Sequence, residues 1–447
     1  MRLTKAESID NVYRAFLNTP LDQDDIDFFT ETQKARGGQP FRRRMLHRLA
    51  TMNDVAHKYI MVGYRGCGKS TELNQLKEDL EKQTEVGSRY FVVSYSIKDE
   101  LSLVNLNYMQ LLIVTMEKLF GAIDEHQLGI NQEYLDLIKR WVQTKEITKI
   151  SDTHKLYEKR GELKYDASFF KSFFGSFKIA STHSASMKET MKEVIEPRLS
   201  ELIDLCNRLI TEVRLGLHKI DKDDLLIIVE DLDKLLYDKA KEVFLDHVDI
   251  LTALYANFIF TFPISLYYSA WWVSRIKNYF GNAFEFPMIK VREKDGSPST
   301  DGLACLRELI EKRMSLSLFE SSQLLDDMIL MSGGNLADLF RLIRDAADFA
   351  IDDSRSVITA HDYQRALAYL INDYQNTISD VEIEGKLYTT DQMYEALVQL
   401  ATNKTYENSV VMLHLRQTLL VLGYNSDFWC DVHPIVKEIL KRKGKIE

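Results

Sequence analysis

Five runs of apolar residues, four to six residues long, recur along the chain and predict strands. They cover residues 59–62, 90–95, 225–229, 258–262 and 286–291. Such runs are typical of parallel strands that are buried on both faces of a sheet. Helical periodicity lies between them, and strands that alternate with helices predict an α/β fold with a doubly wound parallel sheet.

The same pattern divides the chain into segments. We expect an N-terminal helical segment at 1–55, an α/β core in two parts at 56–97 and 223–300, a helical insertion at 98–222, a helical lid at 301–378 and a C-terminal module at 379–447. The insertion carries phenylalanines on adjoining helical faces, namely Phe169, Phe170, Phe173, Phe174 and Phe177. We interpret this stripe as internal core, and the alternative is a docking surface for a partner or another protomer.

The last segment has its own order of elements. Thr359 is expected to cap a helix that closes the lid, and helices at 390–400 and 410–417, strands at 419–424 and 428–432, and a final helix from His433 follow. This order suggests a winged helix, which binds DNA in some proteins and other proteins elsewhere. Residues 380–447 carry eight Lys+Arg against ten Asp+Glu, a net charge of −2. Since DNA affinity needs several phosphate contacts, we favour a protein-contact role.

A phosphate-binding motif follows the first predicted strand. Residues 63–71 read G-Y-R-G-C-G-K-S-T, which fits G-x-x-x-x-G-K-[ST], and a helical pattern continues behind them. Glycines let successive N–H groups face a polyphosphate, and the helix N-terminus adds positive partial charge. Lys69 is expected to reach the β and γ phosphates, and Ser70 to ligate Mg²⁺. We predict a nucleoside triphosphate site made by Gly63, Tyr64, Arg65, Gly66, Cys67, Gly68, Lys69, Ser70 and Thr71.

Carboxylates at the end of the third predicted strand supply what hydrolysis also needs. Glu230, Asp231 and Asp233 are three acids within four residues. Burying them without a cation would be costly, which favours a functional role over a solvated turn. We expect one of Glu230 and Asp231 to hold Mg²⁺ and the other to orient or deprotonate the attacking water. Both the acids and the phosphate loop fall at the carboxyl ends of strands, where the ligand of such a sheet is expected.

Composition and charge narrow the setting. The 447 residues carry a net charge of −10, which argues against an overall basic nucleic-acid wrapper. The four cysteines are scattered without a C-x-x-C pair, and with no signal peptide at the start we expect a cytoplasmic protein. Residues 250–274 contain no charged side chain, yet Pro263 and several polar residues interrupt the stretch. We therefore predict a buried strand there and no membrane contact.

The order of strands, the Glu-Asp-Leu-Asp-Lys stretch at 230–234 and the later modules resemble AAA+-related P-loop ATPases. The nearest branches are the origin-recognition initiators and the STAND signal-transduction ATPases, which include bacterial stress and antiphage proteins. The resemblance implies ATP as the nucleotide, Glu230 at the magnesium position and Asp231 at the catalytic one. It also implies that Thr261 is a polar sensor between the γ phosphate and the attacking water.

The resemblance extends to the lid, where the family often places an arginine that touches the phosphates. Ala337 stands at its expected position in this chain, and Arg341 and Arg344 could substitute for it. No arginine finger can be assigned from the sequence. The candidates are Arg275, Arg307 and Arg313.

Three functions remain open. The first is an ATP-dependent switch, in which slow hydrolysis resets the lid and the C-terminal module, and these act on a protein partner or on other protomers. The second is a DNA-binding ATPase of the origin-recognition or transposition-regulator type, motivated by arginines 42–44 and the basic C-terminus. The third is a nucleotide-dependent scaffold that hardly hydrolyses, motivated by Glu230 and Ala337.

Overall fold

The computed structural model describes residues 3–37, 40–51, 56–82, 89–143, 166–183, 193–280, 283–404, 407–424 and 429–447. Its main sheet consists of β1 (Lys58–Gly63), β2 (Tyr90–Ser96), β3 (Asp224–Glu230), β4 (Asn257–Phe262) and β5 (Ala283–Phe286). These strands are all parallel and lie in the order β2-β3-β4-β1-β5. Every residue of β1 and β4 is buried, which accounts for their unbroken apolar runs. The predicted α/β fold with a parallel sheet is confirmed.

Helices precede and follow these strands. Up to the end of the sheet they are α1 (Val12–Ala15), α2 (Gln33–Arg36), α3 (Phe41–Thr51), α4 (Lys69–Glu81), α5 (Ile97–Glu100), α6 (Tyr108–Glu125), α7 (Gln132–Val142), α8 (Ala167–His183), α9 (Leu199–Leu217), α10 (Tyr237–Lys241), α11 (Val248–Thr252), α12 (Ile264–Tyr267) and α13 (Lys277–Phe280). After the sheet they are α14 (Thr300–Arg313), α15 (Ser322–Met331), α16 (Leu336–Asp352), α17 (Ala360–Thr377), α18 (Thr390–Asn403), α19 (Val410–Gln417) and α20 (Pro434–Arg442). Among the shorter turns, the 3-10 helix Leu232–Lys234 directly follows β3, and it carries part of the site described below.

The described part of the insertion is helical, as the sequence predicted. Phe169, Phe170, Phe173 and Phe174 of α8 are all buried, and they belong to the same hydrophobic core as the sheet. Rings of Phe170 and Phe174 stack on Phe120 of α6 at centroid distances of 5.2 and 5.8 Å. The interpretation of the stripe as internal core is therefore confirmed for these four residues. The side chain of Phe177 lies outside the described part of the structure.

The fifth predicted strand is displaced from its predicted place. A strand was expected at 286–291, whereas β5 ends at Phe286. Pro287 has no N–H to continue the ladder. The amides of Met288 and Lys290 also bond outside the sheet, because Met288 donates to the Gly423 carbonyl and Lys290 donates to the Ala35 carbonyl. The prediction was wrong because this apolar run joins the sheet to the N-terminal segment and to the C-terminal module.

Four strands of the C-terminal region pair as two hairpins. The first was not predicted, and it consists of β6 (Val381–Ile383) and β7 (Lys386–Tyr388). The second consists of β8 (Val421–Tyr424) and β9 (Trp429–Val432), and it lies between α19 and α20 as expected. Thr359 lies directly before α17, as predicted. Its N–H and hydroxyl both donate to the Asp362 carboxylate at 2.9 and 2.7 Å.

The described residues form two hydrophobic cores. The first contains the sheet and the insertion, and the second contains the lid helices, α18 and α20. The N-terminal segment joins the second core through Ala6, Val12 and Phe16. On β8, Val421 packs into the second core, whereas Leu422 and Tyr424 pack into the first. The C-terminal hairpin thus connects the two cores.

The apolar stretch 250–274 contains β4, whose position at the centre of the sheet between β3 and β1 explains the missing charges. The prediction of a buried strand is confirmed. Across the described ranges, none of the helices combines the length and the apolar character needed to cross a bilayer.

Candidate functional site

The predicted phosphate loop lies between a strand and a helix, which is the local context of its motif. β1 ends at Gly63, and α4 begins at Lys69. Gly66 and Gly68 have positive φ angles of 73° and 97°, which suit glycine. A Cβ on Gly66 would lie only 2.7 Å from the Cβ of Ala337. The loop therefore touches the N-terminus of lid helix α16, where the Leu336 N–H donates to the Gly66 carbonyl at 3.1 Å.

The loop lies on a cavity of about 490 Å³, a volume within the range of small-molecule sites. Of the nine predicted loop residues, six line it, namely Arg65, Gly66, Gly68, Lys69, Ser70 and Thr71. The other three, Gly63, Tyr64 and Cys67, do not. The Tyr64 side chain points toward the β8–β9 hairpin, and its hydroxyl would lie 2.8 Å from a Cβ placed on Gly423. Cys67 is fully buried behind the loop.

Lys69 is held by three oxygen atoms. Its Nζ donates to the carbonyls of Gly63 and Tyr64 at 2.9 and 2.7 Å and pairs with the Asp233 carboxylate at 2.9 Å. Burial by itself would lower the pKa of Lys69, but the charge and hydrogen bond of Asp233, together with other neighbouring groups such as Asp231, outweigh it, so the pKa lies above its usual value. Lys69 is therefore a charged group at the cavity wall, with Asp233 as its counter-ion.

Asp233 is a site residue for which the sequence did not indicate a separate role. It is 5% exposed and lines the cavity. The turn Leu232–Lys234 brings its side chain back to the edge of the sheet, facing Lys69. The spacing of three acids within four residues was the available signal. It did not reveal which acid would meet the lysine, because that contact depends on the conformation of the turn.

Glu230 and Ser70 are adjacent, as their predicted shared role requires. Glu230 ends β3, is 9% exposed, and is hydrogen-bonded by the Ser70 side chain. Burial raises the pKa of Glu230 to about 7, and the neighbouring Asp231 and Asp233 act in the same direction against the Ser70 hydrogen bond. A hydroxyl and a carboxylate beside a phosphate loop are oxygen ligands that suit Mg²⁺, which keeps water and phosphate oxygens as its other ligands. The residues present therefore fit the ion.

Asp231 is ionised and restrained. It adopts a left-handed backbone conformation with φ of 68°. One carboxylate oxygen accepts from the Ser96 hydroxyl at 2.8 Å and lies 3.4 Å from the Nζ of Lys98, while the other lies 2.5 Å from the Nζ of Lys234. Burial would raise the pKa of Asp231, but the hydrogen bonds from Lys234 and Ser96 and the positive charges of Lys234 and Lys98 together outweigh it and hold the pKa below its usual value.

Thr261 lies beneath residues 231–235, which we call the acidic turn, and outside the cavity lining. Its hydroxyl accepts a hydrogen bond from the Leu232 N–H at 3.1 Å, and the residue is 1% exposed. In this structure the side chain supports the segment that carries Asp231 and Asp233. The sensor role of Thr261 stays a prediction.

Two arginines of the cavity wall lie close to the N-terminal segment, and of these two Arg36 was not singled out from the sequence. Arg36 of α2 donates to the Cys67 carbonyl at 2.6 Å and to the Pro287 carbonyl at 2.5 Å. Arg313, one of the arginine-finger candidates, donates to the Ala15 carbonyl at 2.9 Å, and burial lowers its pKa to about 10. Both residues line the cavity. They join the N-terminal segment to the site.

The remaining predicted arginines lie elsewhere. Arg341 pairs with Asp345 and Asp373, and Arg344 donates to the Phe16 carbonyl, so neither takes the place of Ala337 at the cavity. Of the other two finger candidates, Arg307 pairs with Asp326 and Arg275 is exposed. The lid reaches the phosphate loop with the Leu336 N–H, the Asn335 side chain and Ala337.

Comparisons with known proteins give distant likenesses only. No protein-family model matches this sequence, and no curated protein matches it. Among solved structures, the Walker-type ATPase of Pyrococcus abyssi is 11% identical, covers 96% of this chain and 99% of its own, and has a TM-score of 0.46. The ORC2 protein of Aeropyrum pernix, in ADPNP–ADP complexes, is 10% identical over 98% of each chain with a TM-score of 0.38. The Aeropyrum pernix ORC1 protein in complex with DNA is 12% identical over 92% of this chain and 94% of its own, with a TM-score of 0.39. Sequence identities and TM-scores this low do not indicate an activity, so the functional assignment rests on the site itself.

Proposed function

We propose that this protein is a cytoplasmic, AAA+-related ATP-dependent switch that binds ATP with Mg²⁺ and hydrolyses it slowly. One observation supports the proposal more than any other. Lys69 and Ser70 of the phosphate loop line the same cavity as Glu230 and Asp231, although about 160 residues of sequence separate the two pairs. A cation, a hydroxyl and two carboxylates around one cavity are the groups that phosphoryl transfer to water requires.

Each residue has a role in this proposal. Backbone N–H groups of the loop and the start of α4 bind the phosphates, and Lys69 moves from Asp233 to the β and γ phosphates. Ser70 and Glu230 hold Mg²⁺, which when bound neutralises charge on the phosphate oxygens. Asp231 orients the attacking water and accepts its proton.

Slow turnover is supported by the surroundings of Asp231. Ser96, Lys98 and Lys234 all bond to its carboxylate. A carboxylate with a lowered pKa is a weak proton acceptor at neutral pH. On α16, which the structure describes in full, Arg341 and Arg344 bond elsewhere, so neither replaces Ala337 at the phosphate loop. Both features favour a switch whose state lasts, over an enzyme built for rapid turnover.

The contacts of the lid support a switch. Asn335 caps α16, and its side chain donates to the Arg65 carbonyl at 3.3 Å, beside the bond between Leu336 and Gly66. Any change in loop conformation on nucleotide binding therefore acts directly on the N-terminus of α16. The lid then transmits the change to the C-terminal region, with which it shares a core.

A protein partner or self-association is favoured over DNA as the output of the C-terminal region. In a winged-helix module α19 would be the helix available to enter a DNA groove. Instead Met412, Leu413, Leu415 and Gln417 of this helix are buried, and the guanidinium of Arg416 lies 4.0 Å from the centre of the Tyr268 ring. Because these residues are covered, α19 is poorly placed to enter a DNA groove, and this favours a module that contacts proteins. A role in antiphage defence stays an expectation from the resemblance.

The second candidate, a DNA-binding ATPase, is favoured by helix α3. Arg43 and His47 are exposed on this helix, with Arg44 and Arg48 half-buried beside them. A basic helical face of this kind can contact phosphates. Arg42 does not contribute to that face, because it pairs with Glu31, Glu72 and Asp79.

The test is steady-state phosphate release with Mg-ATP, measured without DNA and with duplex DNA at low salt, with Lys69→Ala as the blank. The switch predicts slow turnover that requires Lys69 and ignores DNA. Stimulation by DNA that is lost in an Arg43→Ala/His47→Ala variant would place the second candidate first. Turnover equal to that of the blank, together with intact ATP binding, would instead favour the scaffold that hardly hydrolyses.

A further inference from the structure

The C-terminal region packs directly against the site. Helix α19 lies on α12, and the Asn408 side chain just before it donates to the Tyr268 carbonyl at 2.8 Å. On the other side of the module, the Met288 N–H donates to the Gly423 carbonyl at 3.1 Å. The C-terminal region therefore lies next to the carboxyl ends of β4 and β5, at the edge of the sheet where the cavity lies.

Gln417, the last residue of α19, contacts the acidic turn itself. Its side-chain N–H₂ group donates to the carbonyls of Asp233 and Leu235 at 3.2 and 3.3 Å. Its side-chain oxygen accepts from the Ser265 N–H at 3.4 Å. The two carbonyls and the one N–H fix the orientation of the amide group. Because Gln417 is 7% exposed, these bonds are protected from competition by water.

These bonds restrain Asp233, whose carboxylate pairs with Lys69. The main chain of Asp233 is bonded by Gln417, and the side chain of Asp233 is bonded to the Nζ of Lys69 at 2.9 Å. A nucleotide whose phosphates bind Lys69 must displace that carboxylate. The turn must then shift or the carboxylate must rotate away, and a turn bonded at both ends resists the shift.

We propose that Gln417 is a positioning residue through which the docked C-terminal region keeps Asp233 on Lys69 and so opposes nucleotide binding. The inference rests on the proposed function, since it concerns the same phosphate loop. By linkage, nucleotide that draws Lys69 from Asp233 weakens the docking of α19 to the same extent. The coupling gives the switch its output, which is a C-terminal region that is released when nucleotide binds.

The experiment compares the nucleotide affinity of four full-length proteins by equilibrium binding of a fluorescent ATP analogue with Mg²⁺. They are the wild type, Gln417→Met, Asp233→Asn and the double variant. Methionine keeps the volume of glutamine and removes its hydrogen bonds. We expect Gln417→Met to lower Kd about fivefold, near the small end of coupling between sites. In the Asp233→Asn background the same substitution should leave Kd unchanged, because the charge through which it acts is gone.

Gln323→Met is the matched control. It makes the same chemical change at an exposed glutamine of α15, whose side chain donates to Asp327 of the same helix. It should leave Kd unchanged. A second readout is hydrogen exchange of residues 410–424, which ATP analogue should accelerate in the wild type, with Lys69→Ala unaffected.

The outcomes separate this inference from the proposed function. If wild-type protein does not bind the analogue, the proposed function fails. If it binds, but Gln417→Met leaves Kd unchanged or lowers it equally with and without Asp233, the positioning role is wrong. Slower exchange of residues 410–424 on binding would also overturn it. Thermal melting of each variant checks that the compared proteins are folded.

Discussion

At the scale of single residues, Glu230 should set a pH dependence of stability. Its pKa is raised from 4.5 to about 7, chiefly by burial. Between these values the folded protein binds more protons than the unfolded chain, so the free energy of unfolding falls as pH rises through this range. The loss approaches about 3 kcal/mol by pH 8. Urea unfolding without Mg²⁺ at pH 5, 6.5 and 8 should show this decrease in the wild type and lack it in Glu230→Gln.

The matched control for that prediction is Glu320→Gln, since Glu320 is an exposed carboxylate. Its pH profile should follow that of the wild type. Equal slopes for Glu230→Gln and the wild type would contradict the assignment of the effect to Glu230. With Mg²⁺ present the decrease should shrink, because a cation favours the ionised carboxylate.

Asp231 should affect hydrolysis and leave binding nearly unchanged. In Asp231→Asn the side chain keeps its shape but cannot accept the proton of the attacking water, so we expect single-turnover hydrolysis to fall by about 100-fold or more. The affinity for ATP analogue should stay within about threefold, because Lys69 and Ser70 are untouched. Asp238→Asn, at an exposed position on α10, serves as control. Parallel losses of binding and hydrolysis in Asp231→Asn would assign Asp231 to binding.

The sequence predicted which residues meet at the cavity where this depends on local order, and missed contacts that depend on pairing. Gly66, Gly68, Lys69 and Ser70 lie in one contiguous motif, and Glu230 directly ends a strand, so pattern and position indicated that they lie together. Asp233 and Arg36 contact the loop from residues about 164 and 31 positions away. Such contacts depend on a turn and on the course of the N-terminal segment, which have no local sequence pattern.

At the scale of elements, Gly423 should control how β8 packs against the phosphate loop. A Cβ at this position would meet the Tyr64 hydroxyl at 2.8 Å and the ring at 3.2 Å. Gly423→Ala should displace Tyr64 or the hairpin and cost about 1–3 kcal/mol of stability, the usual cost of overpacking. Adding Tyr64→Phe removes the nearest atom and should restore part of the loss. Urea unfolding of the two single variants and the double variant measures this, and simple additivity would contradict direct contact.

The same scale shows where apolar patterns are informative and where they are not. β1 and β4 are buried at every position, so unbroken apolar runs predicted them well. The run 286–291 has a similar composition, but Pro287 and the bonds of Met288 and Lys290 draw it away from the sheet. β6 and β7 are three residues each and largely exposed, so they leave no apolar signal. Local pattern predicts burial, whereas the partner of a strand is set by long-range contacts.

At the scale of the whole molecule, the cavity lies between the two hydrophobic cores. Its wall includes Phe286 from the first core, and Leu309 and Phe340 from the second. A nucleotide bound there contacts residues anchored in both cores, so it should stabilise both against unfolding. The expected stabilisation is about 2.7 kcal/mol at a ligand concentration of 100 times Kd.

Differential scanning calorimetry with and without a non-hydrolysable ATP analogue and Mg²⁺ measures this effect. If the two cores unfold separately without ligand, both transitions should move upward with ligand and approach each other, because ligand is lost when either core opens. Lys69→Ala should remove the shift, and Arg36→Met should reduce it, since Arg36 joins the N-terminal segment to the loop through the Cys67 carbonyl. A shift of only one transition would mean that the nucleotide contacts one core alone, and the lid would then lack the contact through which ATP is proposed to control it.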